Sequence, residues 1–539
     1  MPRLVTSIIM ALALLLAACT SGGNGDGPEP PTEESPMPPV ELPEDTPALH
    51  EIVPAPRATT PDADGNFELT ADTEILVGSE KSEAGSAAEY LAELLRPATG
   101  FTLPVRQEQR ANDELPLVVL DDAADELPTD GYRLEVTPGR VELSASSGGG
   151  FFAGVQSLRQ LLPADVERDE PVERTWAVAG GTIVDHPRFA YRGAMLDVAR
   201  HFFEADVVKR HIDRLAQYKI NHLHLHLTDD QGWRIEIPGW PRLTEVGAAN
   251  EVGGGPGGYY TQEEFRDIVT YAADRGITIV PEIDMPGHTN AALASYAELN
   301  CDGNATEPYT GTHVGFSSLC IDSDTTYEFA ADVISEVAAL TPGEFFHIGG
   351  DEAEATTDAE YRRFFDRVLP MITDAGKRPV GWHEYAAVDL PESAVVQYWR
   401  IEADHPDTSA AASDGNQVIM SPADHSYLDM KYHDSDPWGN SWAGAVSTRA
   451  AYEWDPATYL TGVGEEAILG VEAPLWTELV QEESDIERMA FPRTQAVAEV
   501  GWTPQESRDW EDFRSRLSAH GERMAAQGID FHPDPEVDW

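Results

Sequence analysis

The chain has 539 residues, 41% of them aliphatic or aromatic, enough for about two to four packed domains, or fewer if one is barrel-sized. It carries 36 Lys and Arg against 95 Asp and Glu, a formal charge of −59. A surface of that sign repels nucleic acid and anionic lipid and counts against both as ligands; it suits solubility outside the cell, or adaptation to salt.

Arg3 gives the N-terminus a positive start, and 4–16 is an apolar stretch too short to span a bilayer comfortably. It runs into Leu16-Ala17-Ala18-Cys19, which resembles a bacterial lipobox. Residues 1–19 are therefore expected to be a lipoprotein-type signal, with Cys19 lipidated and becoming the mature N-terminus; the plainer alternative is an ordinary secretory signal. Several acyl chains on one cysteine hold a protein firmly where one is marginal. Residues 20–48 are rich in Pro, Glu, Gly and Ser and read as a disordered tether. After Cys19 no apolar run is long enough for a helical membrane span, so the anchor at Cys19 is the one expected membrane contact.

Residues 49–187 predict a small α+β domain. A strand is expected over 67–77. A helix is expected over 86–95, with Ser86 as a possible N-cap and Gly100 beyond its end. A short buried strand follows at 117–120. A hairpin is expected at 132–136 and 141–143 around Pro138-Gly139, and a second helix over 154–162.

Residues 188–539 predict a (β/α)8 barrel, of the TIM type, with a C-terminal helical segment. Strands are expected at 192–198, 222–227, 278–283, 345–349, 379–382, 395–399, 417–421 and 469–473. Helices are expected at 206–218, 262–274, 327–340 and 359–375. Helices between 400 and 467 are poorly marked. Cys301 and Cys320, the two cysteines left after Cys19, are expected to pair in an oxidising compartment, closing a loop rich in turn formers.

Polar residues gather where these strands end: Asp197 and Arg200; Asp229, Asp230, Gln231 and Trp233; Glu282, Asp284 and His288; Asp351 and Glu352; Trp382 and Glu384; Trp399; Asp424, Tyr427 and Asp429; Trp476 and Glu478. Barrel enzymes build their sites at this face, whereas the stability of a barrel end needs neither carboxylates nor indoles. Carboxylates bond hydroxyls and perform acid–base work, and indole faces cover the apolar faces of a pyranose. A sugar is the expected ligand. Asp351 and Glu352 are neighbours, so in an extended strand their side chains would point apart. They would not then form the opposed pair, about 5 Å apart, of an ordinary retaining glycosidase.

The segments Arg192-Gly193-Ala194-Met195-Leu196-Asp197, His224-Leu225-His226-Leu227-Thr228-Asp229-Asp230-Gln231-Gly232-Trp233-Arg234, Pro281-Glu282-Ile283-Asp284-Met285-Pro286-Gly287-His288 and His347-Ile348-Gly349-Gly350-Asp351-Glu352 resemble glycoside hydrolase family 20, the β-N-acetylhexosaminidases, in their secreted bacterial form. The resemblance covers the barrel and extends into the α+β domain. It implies an exo-acting, retaining enzyme whose substrate supplies its own nucleophile, the 2-acetamido group, through an oxazolinium intermediate; this family is a recognised exception to the two-carboxylate rule. By the same resemblance Glu352 is the general acid and base, and Asp351 accepts the acetamido N–H. Tyr427 donates to the acetamido oxygen. Trp382, Trp399 and Trp476 box the methyl group and the sugar face. Arg200 binds the 3- and 4-hydroxyls, Asp429 and Glu478 hold the outer hydroxyls, and Asp229 with His288 forms a buried relay to Glu352. The expected partners are oligosaccharides or glycoconjugates ending in N-acetylhexosamine, with no cofactor and no metal; nothing in the pattern fixes an oligomeric state.

Two rival readings follow from the same residues. His222, His224 and His226 alternate along one strand, a ligand pattern in some metal-dependent barrel hydrolases. Without Glu352 acting as an acid, the tryptophan ring would equally suit a non-catalytic carbohydrate-binding lipoprotein. Within the enzyme class, release of disaccharides is the alternative to exo cleavage.

Overall fold

The computed structural model describes residues 40–78, 81–107, 116–122 and 127–539. The expected signal, Cys19 and most of the expected tether lie outside them. The last residues assigned to that tether are held against the domain. The Asn66 side chain donates to the Val40 carbonyl at 3.0 Å, and Arg174 pairs with Asp45 at 2.7 Å.

The N-terminal domain is a seven-stranded mixed sheet in the order Ala58–Pro61, Gly181–Asp185, Tyr132–Thr137, Arg140–Ala145, Leu117–Asp122, Glu74–Val77, Val105–Gln107. Helices Ser82–Thr99 and Gly148–Gln160 pack against it and against each other. The single strand expected over 67–77 is two strands in two sheets. Phe67–Leu69 pairs with Trp176–Val178, and a turn closed by Thr73 N–H to Thr70 O at 3.1 Å redirects the chain into Glu74–Val77. The first helix is longer than expected, and Ser86 lies inside it with Lys81 at the N-cap. Its buried face, Ala84, Ala87, Ala88, Leu91, Leu95 and Ala98, keeps helical spacing past both expected ends. Gly100 then ends it in the left-handed region, φ 68°, donating to the Arg96 carbonyl. The second helix begins at Gly148, six residues before 154, because the Ser147 hydroxyl caps it by accepting the Gly150 N–H.

The barrel closes from eight parallel strands: Tyr191–Asp197, His222–His226, Thr278–Glu282, Phe345–His347, Arg378–Trp382, Val395–Tyr398, Gln417–Met420 and Ile468–Leu475. Its first and last strands pair from Tyr191↔Gly470 to Leu196↔Leu475. Ala205–Gln217, Gln262–Ala273, Asp324–Leu340 and Asp358–Asp374 are the four expected helices. Capping boxes at Thr261/Glu264 and Thr357/Glu360 start two of them. Between 400 and 467 the helices are short, the longest being Pro406–Ser413, which is why periodicity marks them poorly.

The two domains share buried polar contacts. Asp185 accepts from Tyr132 at 2.9 Å, from the Trp502 indole at 3.0 Å and from Lys219 at 3.2 Å, with Lys219 and Asp185 fully buried. The C-terminal helix Trp510–Ala526 sends Arg523 across to the carbonyls of Gln160 and Leu162. The barrel is thereby fixed at its base, leaving the opposite, C-terminal face of the strands free for a site.

Candidate active site

The predicted residues converge on the C-terminal face around a cavity of about 400 Å³, a size suited to a small ligand. Asp351, Glu352, Arg200, Asp429 and Glu478 supply its polar lining. Trp399, Tyr427, Trp442 and Trp476 form its aromatic walls, and Thr312, Val314, Arg400, Asn440 and Leu479 complete it.

The loop after the fourth strand departs from the extended backbone assumed for it. Gly349, Gly350 and Glu352 take left-handed conformations, with φ 70°, 97° and 46°. A Cβ at Gly349 would sit on the Asp284 carboxyl, so only glycine fits there. The side chains of Asp351 and Glu352 consequently do not diverge: both bring an oxygen to 3.5 Å from His288 Nε2.

His288 is itself held at φ 53°, with Nδ1 3.2 Å from Asp229 Oδ1. Burial opposes its charge, but Asp229 and Asp351 raise it well above an ordinary histidine. Burial would raise the Asp229 carboxyl. The neighbouring charges of Arg200 and His288 instead hold it well below the carboxylate range. Asp351 and Asp284 are pushed the other way. Burial and then the Asp351 charge raise Asp284 strongly. Burial raises Asp351 too, with His288 opposing. Both carboxyls are therefore raised, Asp284 the more strongly. Asp284 Oδ1 accepts the Gly350 N–H at 3.0 Å, which fixes the turn.

Arg200 reaches Asp229 at 2.8 Å and Asp197 at 3.2 Å and lies under the Trp476 ring at 4.9 Å. Trp399 and Tyr427 stack at 6.4 Å with 21° between planes, and Trp442 meets each edge-on at 5.8 Å. Asp429 is raised to about 7 by burial and the Glu478 charge, against a hydrogen bond from Asn440; burial also raises Glu478. Asp429 Oδ1, Glu478 Oε2 and Arg200 Nε are buried atoms without a hydrogen-bond partner among the described residues, and hydroxyls of a bound sugar would satisfy them.

Trp382 lies behind Trp476. It is 1% exposed and does not line the cavity. Its ring sits 5.6 Å from that of Trp476, and its N–H donates to Glu282 at 2.9 Å. It backs the aromatic wall because its indole is spent on a carboxylate inside the barrel. Trp442, in contrast, is 53% exposed and lines the cavity from a long loop, where no strand end flags it. An indole left in solvent on a loop beside Asn440 is the signal that marks it.

His222, His224 and His226 face the barrel interior together, as alternation predicts. His224 and His226 have both ring nitrogens hydrogen-bonded to Glu472, Glu282 or Asp229. His222 stacks on Tyr191 at 4.2 Å. None of the three lines the cavity. Cys301 and Cys320 are joined in a disulfide, and the loop between them carries Thr312 and Val314 to the rim, tied down by the Gln231 side chain donating to the Gly311 carbonyl at 2.9 Å.

A family model described as "Glycosyl hydrolase family 20, catalytic domain" matches residues 189–505, and one for "Glycosyl hydrolase family 20, domain 2" matches 49–186. A "Beta-N-acetylhexosaminidase" of Cellulomonas fimi is 43% identical over 88% of this chain and 94% of its own. The solved GH20 beta-N-acetylhexosaminidase of Streptomyces coelicolor A3(2) is 50% identical, with a TM-score of 0.87 over 91% of this chain and 99% of that one. A mutant Streptomyces plicatus beta-hexosaminidase in complex with product (GlcNAc) is also 50% identical, with a TM-score of 0.87 over 94% and 99%.

Proposed function

The chain belongs to glycosyl hydrolase family 20, and from that premise we propose that it is an exo-acting β-N-acetylhexosaminidase. It removes N-acetylglucosamine or N-acetylgalactosamine from the non-reducing ends of oligosaccharides and glycoconjugates, with retention and with the substrate's own acetamido group as nucleophile. The observation that carries this reading is the left-handed turn that sets Asp351 and Glu352 side by side against His288 at the floor of an indole-walled cavity.

Glu352 protonates the leaving oxygen as the acetamido carbonyl attacks the anomeric carbon and the glycosidic bond breaks. Asp351 accepts the acetamido N–H, aligning the carbonyl and stabilising the positive charge of the oxazolinium ion. Tyr427 donates to the carbonyl oxygen from the opposite wall. Water then attacks from the face the aglycone left, giving its proton to Glu352. Trp399, Trp442 and Trp476 cover the apolar faces, with Trp382 supporting them from behind. Arg200, Asp429 and Glu478 take the outer hydroxyls. A net charge of −59 favours neutral over sulfated or otherwise anionic glycans.

An N-acetylglucosamine thiazoline, a stable mimic of the oxazoline, is expected to raise the melting temperature, since at 100 times its Kd a ligand adds about 2.7 kcal/mol. Glucose at the same concentration should leave it unmoved. Equal responses to the two compounds would contradict the acetamido assignment.

The sequence further supports export and lipidation at Cys19. A Cys19→Ser form is expected to leave the membrane fraction; if it stays there, the anchor lies elsewhere.

A further inference from the structure

Beneath the relay of Asp229 and His288, the barrel interior contains a longer run of ionisable side chains, fully buried and not in contact with the cavity. Tyr191 donates to Glu472 Oε2 at 2.5 Å. Glu472 Oε1 meets His224 Nδ1 at 3.0 Å. His224 Nε2 meets Glu282 Oε2 at 2.8 Å, and the same oxygen meets His226 Nδ1 at 2.5 Å. His226 Nε2 meets Asp229 Oδ2 at 2.9 Å. The run crosses the barrel from its first and last strands, through the second and third, to the active-site face.

A neutral imidazole has one donor and one acceptor nitrogen. His224 and His226 each face a carboxyl oxygen at both nitrogens, so beside ionised carboxylates a neutral ring would set lone pair against lone pair in a dry interior. Glu282 is likewise surrounded by groups that donate: Oε2 by two imidazoles, Oε1 by the Trp382 indole at 2.9 Å. Glu472 accepts from Gln397 at 2.6 Å as well. Also facing the run are His347, 3.1 Å from Glu282 and stacked on His224 at 4.5 Å, Asp284, clustered with Glu282 and His226, and Asp197, which with Arg200 flanks its active-site end. These partners are met by alternating charges: Glu472 negative, His224 positive, Glu282 negative, His226 positive, Asp229 negative.

We propose that this alternating ion chain sets the charge and orientation of His288, and through it proton delivery by Glu352, so that His224, Glu282 and His226 are positioning residues for the reaction. Each imidazolium neutralises the carboxylates beside it, leaving Asp229 bound but not in excess negative charge against His288. In the same direction, the Glu472 and Glu282 charges outweigh burial and raise His224 to about 9. The proposal rests on the hydrolase reading above for its consequence, but not for the charge states themselves.

Nitrogen-15 NMR of histidine-labelled protein separates the two. At pH 7.5 the rings of His224 and His226, assigned by loss of their signals in His224→Gln and His226→Gln, are expected to carry protons on both nitrogens. Neutral tautomers at that pH would overturn the proposal whatever the enzyme does. The kinetic readout is the pH profile of kcat/KM on an unactivated disaccharide, whose alkaline limb marks loss of the acid's proton. A unit charge some two side chains away, at an effective dielectric of about 20, moves an ionisation by on the order of one pH unit. Removing the positive charge in His226→Gln should move the limb upward by about that much, and His224→Gln, one link farther, by less. Turnover of an aryl glycoside with a good leaving group should change by only a few-fold. A fixed limb, or equal loss on both substrates, would reduce these histidines to packing. If His226→Gln does not fold, the His224→Gln profile decides alone.

Discussion

Glu352→Gln is expected to lower kcat/KM on an unactivated N-acetylglucosaminyl disaccharide by about 10²- to 10⁴-fold, the range lost with a positioned general acid. Glutamine preserves the shape of the side chain and its place 3.5 Å from His288, but has no proton to give to the departing oxygen. On an aryl glycoside whose phenolate leaves unaided, the first step needs no acid, so bond cleavage should persist at a rate much closer to the parent's. Breakdown of the oxazolinium ion, where water still needs a base, then limits turnover. Steady-state rates across aryl glycosides of graded leaving ability check this. The variant should depend far more steeply on the leaving group than the parent does, and parallel dependences would remove Glu352 from the acid role.

Asp351→Asn should behave differently, lowering turnover on good and poor leaving groups alike by about 10²- to 10³-fold, the scale of one preorganised electrostatic contact. The acetamido group attacks in both cases, and its alignment and developing positive charge are what Asp351 serves. The control is a substrate in which a 2-hydroxyl replaces the acetamido group. The parent enzyme should hydrolyse it barely at all, and Asp351→Asn should then cost nothing further, because the interaction it removes is already gone. Near-full activity of Asp351→Asn on the acetamido substrates, or ready hydrolysis of the 2-hydroxyl glycosides, would refute the assigned role. Asp284 belongs to the same argument. Its carboxyl lies beside Asp351 and is raised the more strongly of the two.

Much of the barrel is legible in the chain because each strand is a short apolar run closed by polar residues, and both features are local. The runs around Leu223, Leu225 and Ile279 and the Gly349-Gly350-Asp351-Glu352 motif need no partner to be recognised. The N-terminal domain is less legible. Whether 67–77 is one strand or two depends on the turn at Thr70–Thr73 and on a distant partner at Trp176–Val178, which pattern cannot supply. Helix ends misread for the same reason: Ser86 is a good capping residue, but the buried alanine face extends past it.

By itself the sequence determined a closed barrel behind a smaller domain and the set of carboxylates and indoles at its strand ends, because periodicity and residue chemistry are written along the chain. Only the tertiary structure decided which way those side chains face. It turned Asp351 and Glu352 toward one histidine through a left-handed turn, withdrew Trp382 into the wall, and brought Trp442 from a loop to the cavity. It also drew His224 and His226 into contact with carboxylates from other strands. Side-chain direction and charge state depend on neighbours far apart in sequence, and these become neighbours only when the barrel closes.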